Sequence, residues 1–494
     1  MCALLGGVLL GGCGAPSEAV PAPEEPLGRQ EAMLCASLNV TTLTLTGLGS
    51  YQRELAGSGE FAVSTSANAA RLEYYVDGRV RSTEERTGTS GTWYFSGRGM
   101  TCGLHTFELK VYPMVVDSNG NRTTCWESVR VLSQSVAETC PLSASDMNSA
   151  RLRENGTVWT WGDNYYGQIG DGTMGAPRSA PVRVVGLTGV VALSAGSNHM
   201  GALRQDGTVW TWGSNAVGQL GNGTTTQRLL PVQVTGLGGV LAIAAGGYHT
   251  LALKQDGTVW TWGHNGAGQL GDGTTLVRAA PVQVTGLSGV MAIAAGEHFS
   301  LALKQDGTVW AWGNNGSGQL GDGTTLHRST PVQVSVLGGV AYISAGGLHT
   351  MAMKQDGTFW TWGANGYGQL RSGTFTSRAT PAQVVFSPFS ESAAGEAHSV
   401  VLKQDGTVWV WGSNGSGQLG DGTLTNRLRP VQVAGLGNVL AIAVGSYHTV
   451  AMKQDGTVWT WGSNTYGQLG DGSTTRRTTP VQVAGLGNVL AIAA

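Results

Sequence analysis

The sequence predicts an all-β protein whose larger part is a β-propeller built from seven copies of a repeat of about fifty residues. One observation is periodicity, because Trp-x-Trp-Gly begins at Trp159, Trp210, Trp260, Trp310, Trp360, Trp409 and Trp459. A second is composition: 78 of the 494 residues are glycine and only 12% are charged, which disfavours helices. A third is the hydrophobic content of 41%, which is enough for a large core.

The N-terminus reads as an export signal. Residues 1–13, MCALLGGVLLGGC, are an apolar run ending in a cysteine and resemble the lipobox of bacterial lipoproteins. The resemblance implies cleavage before Cys13 and a lipid on its thiol, although no Lys or Arg precedes the run; an N-terminal strand is the alternative. Residues 14–32 are rich in Pro, Glu and Ala and predict an extended tether. We therefore expect a lipoprotein of the bacterial outer membrane or cell surface, or else a secreted protein.

Residues 33–140 predict a small β-sandwich. Runs such as Arg71–Val76 alternate apolar and polar residues, and turn residues such as Asp77-Gly78 separate them. The last thirty or so residues of this segment resemble the end of a bacterial immunoglobulin-like domain. The cysteines left after the signal all fall here, which predicts two disulfides with three possible pairings: Cys35, Cys102, Cys125 and Cys140. A zinc site is the rival interpretation, but no Cys-x-x-Cys pair is present.

Each repeat predicts four strands. Asp256-Gly257 between two apolar runs indicates a two-residue hairpin with a type I′ turn. Trp260 and Trp262 fall on one face of the next strand by the period of two. Neither face of the sheet carries charge, so blades that stack radially against each other should bury both. Pro281 opens the fourth strand, where a missing N–H costs least.

The recurring motifs Gly-x-x-His-[Ser/Thr], QDGTVWTWG and GQLGDGT resemble the RCC1 (regulator of chromosome condensation) repeat over about 345 residues. The resemblance implies a seven-bladed propeller over residues 145–494. The first repeat lacks the Ala-Ile-Ala-Ala strand before its hairpin at Asn155-Gly156, whereas the chain stops at such a strand, Val489–Ala494. We therefore expect Val489–Ala494 to complete the first blade and close the ring.

Six of the nine histidines recur at or beside one repeat position: His199, His249, His298, His349, His398 and His448. One histidine per blade is too widely spaced for shared metal coordination. We predict hydrogen bonds between blades instead, and no metal or cofactor.

Two further motifs predict structure rather than chemistry. An arginine three residues before a proline recurs in every repeat, and five repeats place an Asp upstream, which predicts an Asp–Arg brace within the loop: Arg178, Arg228, Arg278, Arg328, Arg378, Arg427 and Arg477. The fifth repeat breaks this pattern with Arg371-Ser372. Gly-x-G-x-x-Gly occurs three times, but no helix follows to bind a phosphate. No catalytic trio stands apart from the repeat, so we do not expect an enzyme.

The copies differ mainly at loop tips, where tyrosines recur as candidate recognition residues: Tyr165, Tyr166, Tyr248, Tyr367, Tyr447 and Tyr466. Drift at unconstrained surface positions is the alternative. The function we predict is non-catalytic binding of a protein partner by a monomer. The net charge of −2 argues against nucleic acid.

The family resemblance implies two alternative functions. One is guanine-nucleotide exchange, which in the family uses a wedge inserted in one blade, yet every repeat here is 49 to 51 residues long. The other is inhibition of a secreted enzyme, as in the propeller that inhibits β-lactamase.

Overall fold

A computed structural model describes residues 40–483 except 44–46, 52–53, 64–66, 77–78, 99–102, 117, 126–128, 139–141, 154 and 386–388. Within this part of the chain the secondary structure consists of β-strands, so the predicted all-β class is confirmed. None of the described residues forms a helix with the length and apolarity needed to cross a membrane. The signal, the tether and Cys13 lie outside the described residues.

The chain divides into two compact units. The first comprises Met1–Gly47, Gly57–Phe95 and Phe107–Gln134, and the second comprises Leu48–Ala56, Ser96–Thr106 and Ser135–Ala494.

The strands before residue 140 form two antiparallel sheets. They are β1 (Val40–Leu43), β2 (Gly47–Tyr51), β3 (Glu54–Val63), β4 (Ala69–Val76), β5 (Arg79–Thr87), β6 (Ser90–Arg98), β7 (Gly103–Val116), β8 (Arg122–Thr124) and β9 (Arg130–Glu138). One sheet has the order β1-β3-β2 with β6 also on β3, and the other has the order β5-β4-β7-β8 with β9 also on β7. Leu72, Tyr74, Leu109 and Val111 are buried on the paired strands β4 and β7.

Of the four cysteines predicted to form disulfides, one lies within the described residues. Cys125 is buried and disulfide-bonded. Cys35, Cys102 and Cys140 lie outside the described residues, as does the predicted turn at Asp77-Gly78.

From Leu142 onward the described residues form seven four-stranded antiparallel sheets, each with its strands in chain order. The first three sheets are β10–β13 (Leu142–Ala144, Asn148–Leu152, Val158–Gly162, Arg178–Arg183), β14–β17 (Val190–Ala195, His199–Arg204, Val209–Gly213, Arg228–Gln233) and β18–β21 (Val240–Ala245, His249–Lys254, Val259–Gly263, Arg278–Gln283). The next two are β22–β25 (Val290–Ala295, Phe299–Lys304, Val309–Gly313, Arg328–Gln333) and β26–β29 (Val340–Ala345, His349–Lys354, Phe359–Gly363, Arg378–Val384). The last two are β30–β33 (Phe389–Ala394, His398–Lys403, Val408–Gly412, Arg427–Gln432) and β34–β37 (Val439–Val444, His448–Lys453, Val458–Gly462, Arg477–Gln482).

The predicted turn type between the second and third strands is wrong. A type I′ turn needs positive φ at both central residues, but Gly257 has φ +77° and Asp256 is not among the described non-glycine residues with positive φ. The N–H of Lys254 bonds to the carbonyl of Thr258 and that of Gly257 to the carbonyl of Lys254. This is a three-residue loop, a type I turn followed by a left-handed glycine. Asp256 Oδ1 accepts from the backbone N–H of Thr258 at 3.0 Å, which fixes the turn.

The second tryptophan of each pair joins neighbouring sheets. The ring of Trp312 is fully buried, and its Nε1 donates to the carbonyl of Gln269 in the preceding sheet at 2.8 Å. The equivalent bond occurs at the other six tryptophans, at 2.8 to 2.9 Å: Trp161, Trp212, Trp262, Trp362, Trp411 and Trp461. The first tryptophan of a pair, such as Trp310, is only partly buried.

The predicted histidine bonds between blades are confirmed at five junctions. His249 Nε2 lies 2.9 Å from the hydroxyl of Ser300 in the next sheet, and that hydroxyl donates to the carbonyl of Gln269 at 2.8 Å. Because the hydroxyl proton is used, Nε2 carries the proton of the neutral ring. The other four pairs have the same geometry: His199–Thr250, His349–Ser399, His398–Thr449 and His448–Ser149. We call each set of histidine, hydroxyl, glutamine carbonyl and indole an interblade joint.

Two sheets depart from the predicted histidine ring. His298 precedes the joint position, which Phe299 occupies in the fourth sheet, and Asn148 occupies it in the first. At the junction between the fourth and fifth sheets, where Phe299 replaces the histidine, the hydroxyl of Thr350 still donates to the carbonyl of Gln319. The hydroxyl, carbonyl and indole of the joint are therefore retained there.

The predicted closure of the ring by Val489–Ala494 is wrong. The place beside β11 is taken by β10, which pairs Leu142 with Arg151, Ser143 with Ala150 and Ala144 with Ser149. Trp161 of this sheet packs with Val450 and other side chains of the last sheet. The first and last sheets therefore meet, with β10 as the innermost strand. Val489–Ala494 itself lies outside the described residues.

A substitution in β10 tests this closure. The N–H of Ser145 bonds to the carbonyl of Asn148, so by antiparallel alternation Ser143 and Ala150 form the next hydrogen-bonded pair. Ser143→Pro removes that donor and should destabilise the propeller by about 1 kcal/mol or more. Ser143→Ala keeps the donor and is the control. Thermal unfolding of both variants is compared with a chain lacking Val489–Ala494; a larger loss in the truncated chain would support closure by the C-terminal strand.

The joint histidines should make stability depend on pH. Burial lowers the pKa of His199 and His349 to about 4 and is the main cause that lowers the pKa of His249, His398 and His448 to about 3. The folded state therefore disfavours protonation relative to an unfolded pKa near 6.5. The stabilisation is complete above that pH and declines as the pH falls from it towards the folded pKa values of about 4 and about 3.

His249→Phe isolates one joint, because phenylalanine already occupies this position at Phe299. Between pH 6 and 5 the free energy of unfolding should fall less steeply in the variant, by about 1.4 kcal/mol per pH unit. Denaturant titrations followed by tryptophan fluorescence measure this, since 14 of the 16 tryptophans lie in the repeats. Identical slopes in the two proteins would contradict the assignment.

Candidate functional site

One end of the propeller carries both variable sets of loops. In the third sheet His249 pairs with Gly263, so the loop before β19 and the loop after β20 emerge at the same end. The N–H of His264 bonds to the carbonyl of Tyr248 at 2.9 Å, which ties the two loops together. The same bond occurs between Ala364 and Leu348 and between Ser463 and Tyr447.

Buried polar side chains hold the longer loop in place. Asn265 is fully buried; its Oδ1 accepts from the N–H of Leu270 at 2.9 Å and its Nδ2 donates to the carbonyl of Thr274 at 3.1 Å. Gln269 is also fully buried and accepts from the N–H of Ala267. The Asn and Gln of this loop recur in other repeats and make the same bonds there. The base of each such loop is therefore fixed by hydrogen bonds.

The predicted Asp–Arg brace is confirmed in five repeats. Arg278 lies 2.8 Å from Asp272, and the same pairs at 2.7 to 3.0 Å are Arg178–Asp171, Arg328–Asp322, Arg427–Asp421 and Arg477–Asp471. Burial raises the pKa of Asp272, but hydrogen bonds from Thr274 and Arg278 outweigh it and leave the pKa lowered.

The predicted tyrosines belong to these two sets of loops. Tyr165, Tyr367 and Tyr447 are 65%, 49% and 43% exposed. Tyr166, Tyr248 and Tyr466 are partly buried. Tyr165 and Tyr166 meet edge to face with their ring centroids 4.9 Å apart. The structure thus places the six tyrosines at one end of the propeller.

Three carboxylates that the sequence analysis missed occupy the centre of the same end. The innermost strands surround a cavity of about 140 Å³, lined mainly by small residues of all seven sheets, together with Asp146, Glu297 and Glu396. The other four repeats place Ser197, Gly247, Gly347 and Ser446 at this position. A comparison of the residue after Ala-Gly across the repeats would have revealed the two glutamates. We call the end that carries these carboxylates and the tyrosines the acidic face.

The carboxylates influence one another and the nearby tyrosines. Burial, with a further contribution from Glu297 and Asp146, raises the pKa of Glu396 to about 7. Burial and then Asp146 raise the pKa of Glu297. Burial also raises the pKa of Tyr447, and Glu396 is the next cause. The centre of this face therefore favours a cationic group, which would lower the cost of ionising Glu297 and Glu396.

The side chains around the carboxylates indicate which kind of cation they suit. Among the described residues no three His, Cys, Asp or Glu side chains converge closely enough to hold a metal ion. Instead an aromatic rim stands near the carboxylates: Tyr248 stacks on His298 at 6.0 Å, and His264 meets His298 at 5.8 Å. Carboxylates with aromatic rings beside them suit an ammonium or guanidinium group on a larger molecule.

An outer arc of exposed apolar side chains extends this face. It lies in the loops between third and fourth strands of consecutive sheets: Leu276, Leu326, Phe375 and Leu424, which are 62%, 63%, 59% and 43% exposed. The arc lies on the third to sixth sheets, in the same set of loops as Tyr367. These side chains would add apolar contact area to a partner bound at this end of the propeller.

A substitution tests the coupling of the carboxylates. Glu297→Gln removes a negative charge that disfavours ionisation of Glu396, so the pKa of Glu396 should fall below about 7. Carbon-13 NMR titration of the glutamate carboxyl groups measures this. Asp206→Asn, in a turn at the other end, is the control and should leave Glu396 unchanged; an unchanged pKa in Glu297→Gln would contradict the coupling.

Comparison with known protein families finds one dominant match. A model described as the RCC1-like domain matches residues 96–391, and models of the regulator of chromosome condensation (RCC1) repeat match residues 405–452, 455–494 and 439–468.

Curated relatives match over shorter segments. The E3 ubiquitin-protein ligase HERC2 of Homo sapiens is 44% identical over 79 residues, which is 16% of this chain and 2% of HERC2. The protein RCC2 homolog of Danio rerio is 40% identical over 85 residues, 17% of each chain. The matched segments thus span only a small part of these relatives.

Solved structures show the same fold over most of the propeller. Human WBSCR16 superposes with a TM-score of 0.61 at 26% identity, covering 67% of this chain and 94% of that chain. Prp20p from Saccharomyces cerevisiae, whose structure was described together with its binding properties to Gsp1p and histones, superposes with a TM-score of 0.61 at 23% identity. The match covers 70% of this chain and 88% of that chain.

Proposed function

The chain belongs to the family of proteins with an RCC1-like domain, and from this premise we propose that its propeller is a non-catalytic module that binds a protein partner through the acidic face. We further propose that the seven sheets are the blades of a complete seven-bladed ring.

One observation carries the proposal: exposed tyrosines, an apolar arc and three central carboxylates all lie at the same end of a rigid ring. Tyrosine supplies a large contact area at low entropic cost and is enriched among residues that dominate binding energy. The opposite end is formed partly by turns with the nearly constant sequence Gln-Asp-Gly, such as Gln255–Gly257 and Gln305–Gly307. Its near-uniformity from blade to blade provides less basis for specific recognition.

The charge of the acidic face suggests the complementary feature of the partner. A lysine, arginine or terminal amine that enters between Asp146, Glu297 and Glu396 would relieve their mutual repulsion. Apolar residues beside that cation would pack on Tyr447 and on the outer arc. Complementary charge of this kind mainly increases the association rate and the specificity.

Guanine-nucleotide exchange is the alternative that the fold family suggests. The similarity to Prp20p at 23% identity supports the fold alone. The repeats are 49 to 51 residues long, so none has room for an inserted wedge. Inhibition of a secreted enzyme is compatible with the acidic face and is one form of the binding that we propose.

We also propose where the propeller is located. The sequence of residues 1–13 supports export with a lipid on Cys13, which would attach the chain to a bacterial envelope. The two sheets before residue 140 and the disulfide at Cys125 support an immunoglobulin-like sandwich stabilised by two disulfides. We propose a monomer that is attached to the membrane through a lipid on Cys13 and the tether of residues 14–32.

The binding proposal is tested by affinity capture followed by reconstitution. A partner captured by the wild-type chain is purified, and its dissociation constant is measured for Tyr367→Ala with Tyr447→Ala and for Glu297→Gln with Glu396→Gln. The tyrosine variant should weaken binding about thirtyfold or more, as expected for the loss of about 2 kcal/mol or more.

The matched control lies at the opposite end. Gln255→Ala with Gln305→Ala changes two exposed residues there and should leave affinity unchanged. Equal affinity for the acidic-face variants, or a loss confined to the control, would contradict the proposal.

A further inference from the structure

The junction between the fifth and sixth sheets differs from the others on the outer side of the ring. Arg371 and Ser372 stand where the other repeats have Gly followed by Asp or Asn: Gly170-Asp171, Gly221-Asn222, Gly271-Asp272, Gly321-Asp322, Gly420-Asp421 and Gly470-Asp471. Arg371 keeps the left-handed conformation of the glycine that it replaces, with φ +55°. An unfavourable backbone conformation is therefore retained at a residue that brings a charge.

The replacement of Asp by Ser372 removes the carboxylate that braces the loop arginine elsewhere. The hydroxyl of Ser372 lies 2.9 Å from that of Thr374 and 2.9 Å from Nδ2 of Asn365, so it continues to hold the loop. It offers Arg378 no negative charge, and among the described residues we find no ion pair that includes Arg378.

A third departure from the repeat lies in the next sheet. Arg429 immediately precedes Pro430, at a position occupied elsewhere by Ala180, Leu230, Ala280, Thr330, Thr380 and Thr479. It is exposed, and it lies on the same pocket as Arg371 and Arg378. Both unusual arginines are thus brought together by the packing of adjacent sheets.

The pocket at this junction has a volume of about 850 Å³ and is lined by Arg371, Arg378, Lys403 and Arg429, with no Asp or Glu in its lining. Its wall includes the half-buried ring of Trp409, and Lys403 Nζ lies 4.2 Å from that ring. At Lys254 the corresponding distance is 5.8 Å, and its amine lies 3.6 Å from Asp256. Lys403 therefore takes a different position from its counterpart.

We propose that this pocket binds an oxyanion, a phosphate or sulfate group. Four cationic side chains converge here in a chain whose net charge is −2, and a planar guanidinium matches two oxygens of such a group at once. Arg371 Nη1 donates to the carbonyl of Val385, which holds this side chain at the pocket. The lining includes none of the tyrosines or carboxylates of the acidic face, and the proposal does not depend on a protein partner.

The chain's own repeats supply the test variant. Arg371→Gly, Ser372→Asp and Arg429→Thr together restore residues found at these positions in other repeats, including a carboxylate for Arg378, so the variant should fold. Calorimetric titration of the full-length chain with inorganic pyrophosphate should give a dissociation constant at least tenfold weaker for this variant. Titrations with sulfate and acetate compare the anions, and acetate should bind least tightly.

Two controls separate the site from general electrostatics. Lys453→Gln removes the counterpart of Lys403 in the seventh sheet and should leave pyrophosphate affinity unchanged. Arg429→Thr alone should weaken binding while leaving the Asp–Arg braces untouched. Equal affinity of the wild type and the restored variant, an equal loss with Lys453→Gln, or acetate binding as tight as pyrophosphate binding would overturn the proposal.

Discussion

The propeller depends on one interaction repeated around the ring: the indole N–H of the second tryptophan of each sheet bonds to a glutamine carbonyl of the sheet before it. In the case of Trp312 and Gln269 the donor and acceptor are 2.8 Å apart in a fully buried setting. A buried indole N–H without a partner would cost free energy, so the bond strongly favours one relative placement of adjacent sheets. The Ser or Thr hydroxyl that donates to the same carbonyl reinforces that placement at six of the seven junctions.

The same contacts connect stability to the position of the acidic face. The glutamine whose carbonyl accepts from the next sheet also holds, through its side chain, the loop that carries Tyr166, Tyr367 or Tyr466. The loop tip is thus fixed by the same residue that joins the sheets. This arrangement has a cost, because the Nδ1 atom of each joint histidine is buried without a hydrogen-bond partner in the protein. Phe299 shows that a joint can do without the ring nitrogen.

Much of the repeated structure of the propeller was predictable from the sequence because it follows from local periodicity. The strands, the histidine bonds and the Asp–Arg braces repeat with the tryptophan pairs, and the structure confirms the strands, five of the six histidine bonds and five braces. The turn type was not predictable from Asp256-Gly257 alone, since a two-residue and a three-residue loop share that pair. Closure was misassigned because β10 is only three residues long and follows Cys140-Pro141, whereas Val489–Ala494 matches the repeat. The carboxylates were missed because Asp146, Glu297 and Glu396 are distant in sequence and line one cavity only in the folded propeller.

Internal repetition makes the departures from the pattern informative. Six copies have glycine at this left-handed position, and the seventh has Arg371. The repeat folds with glycine there, so folding alone does not require the strained arginine. The same applies to Ser372, which gives up a brace that five other copies keep. Either change by itself would be consistent with drift. Their convergence with Arg429 from the adjacent sheet is less easily explained by drift, because the two segments meet only in the folded ring. A site of this kind can be recognised by comparing the copies with each other, position by position, on the folded structure.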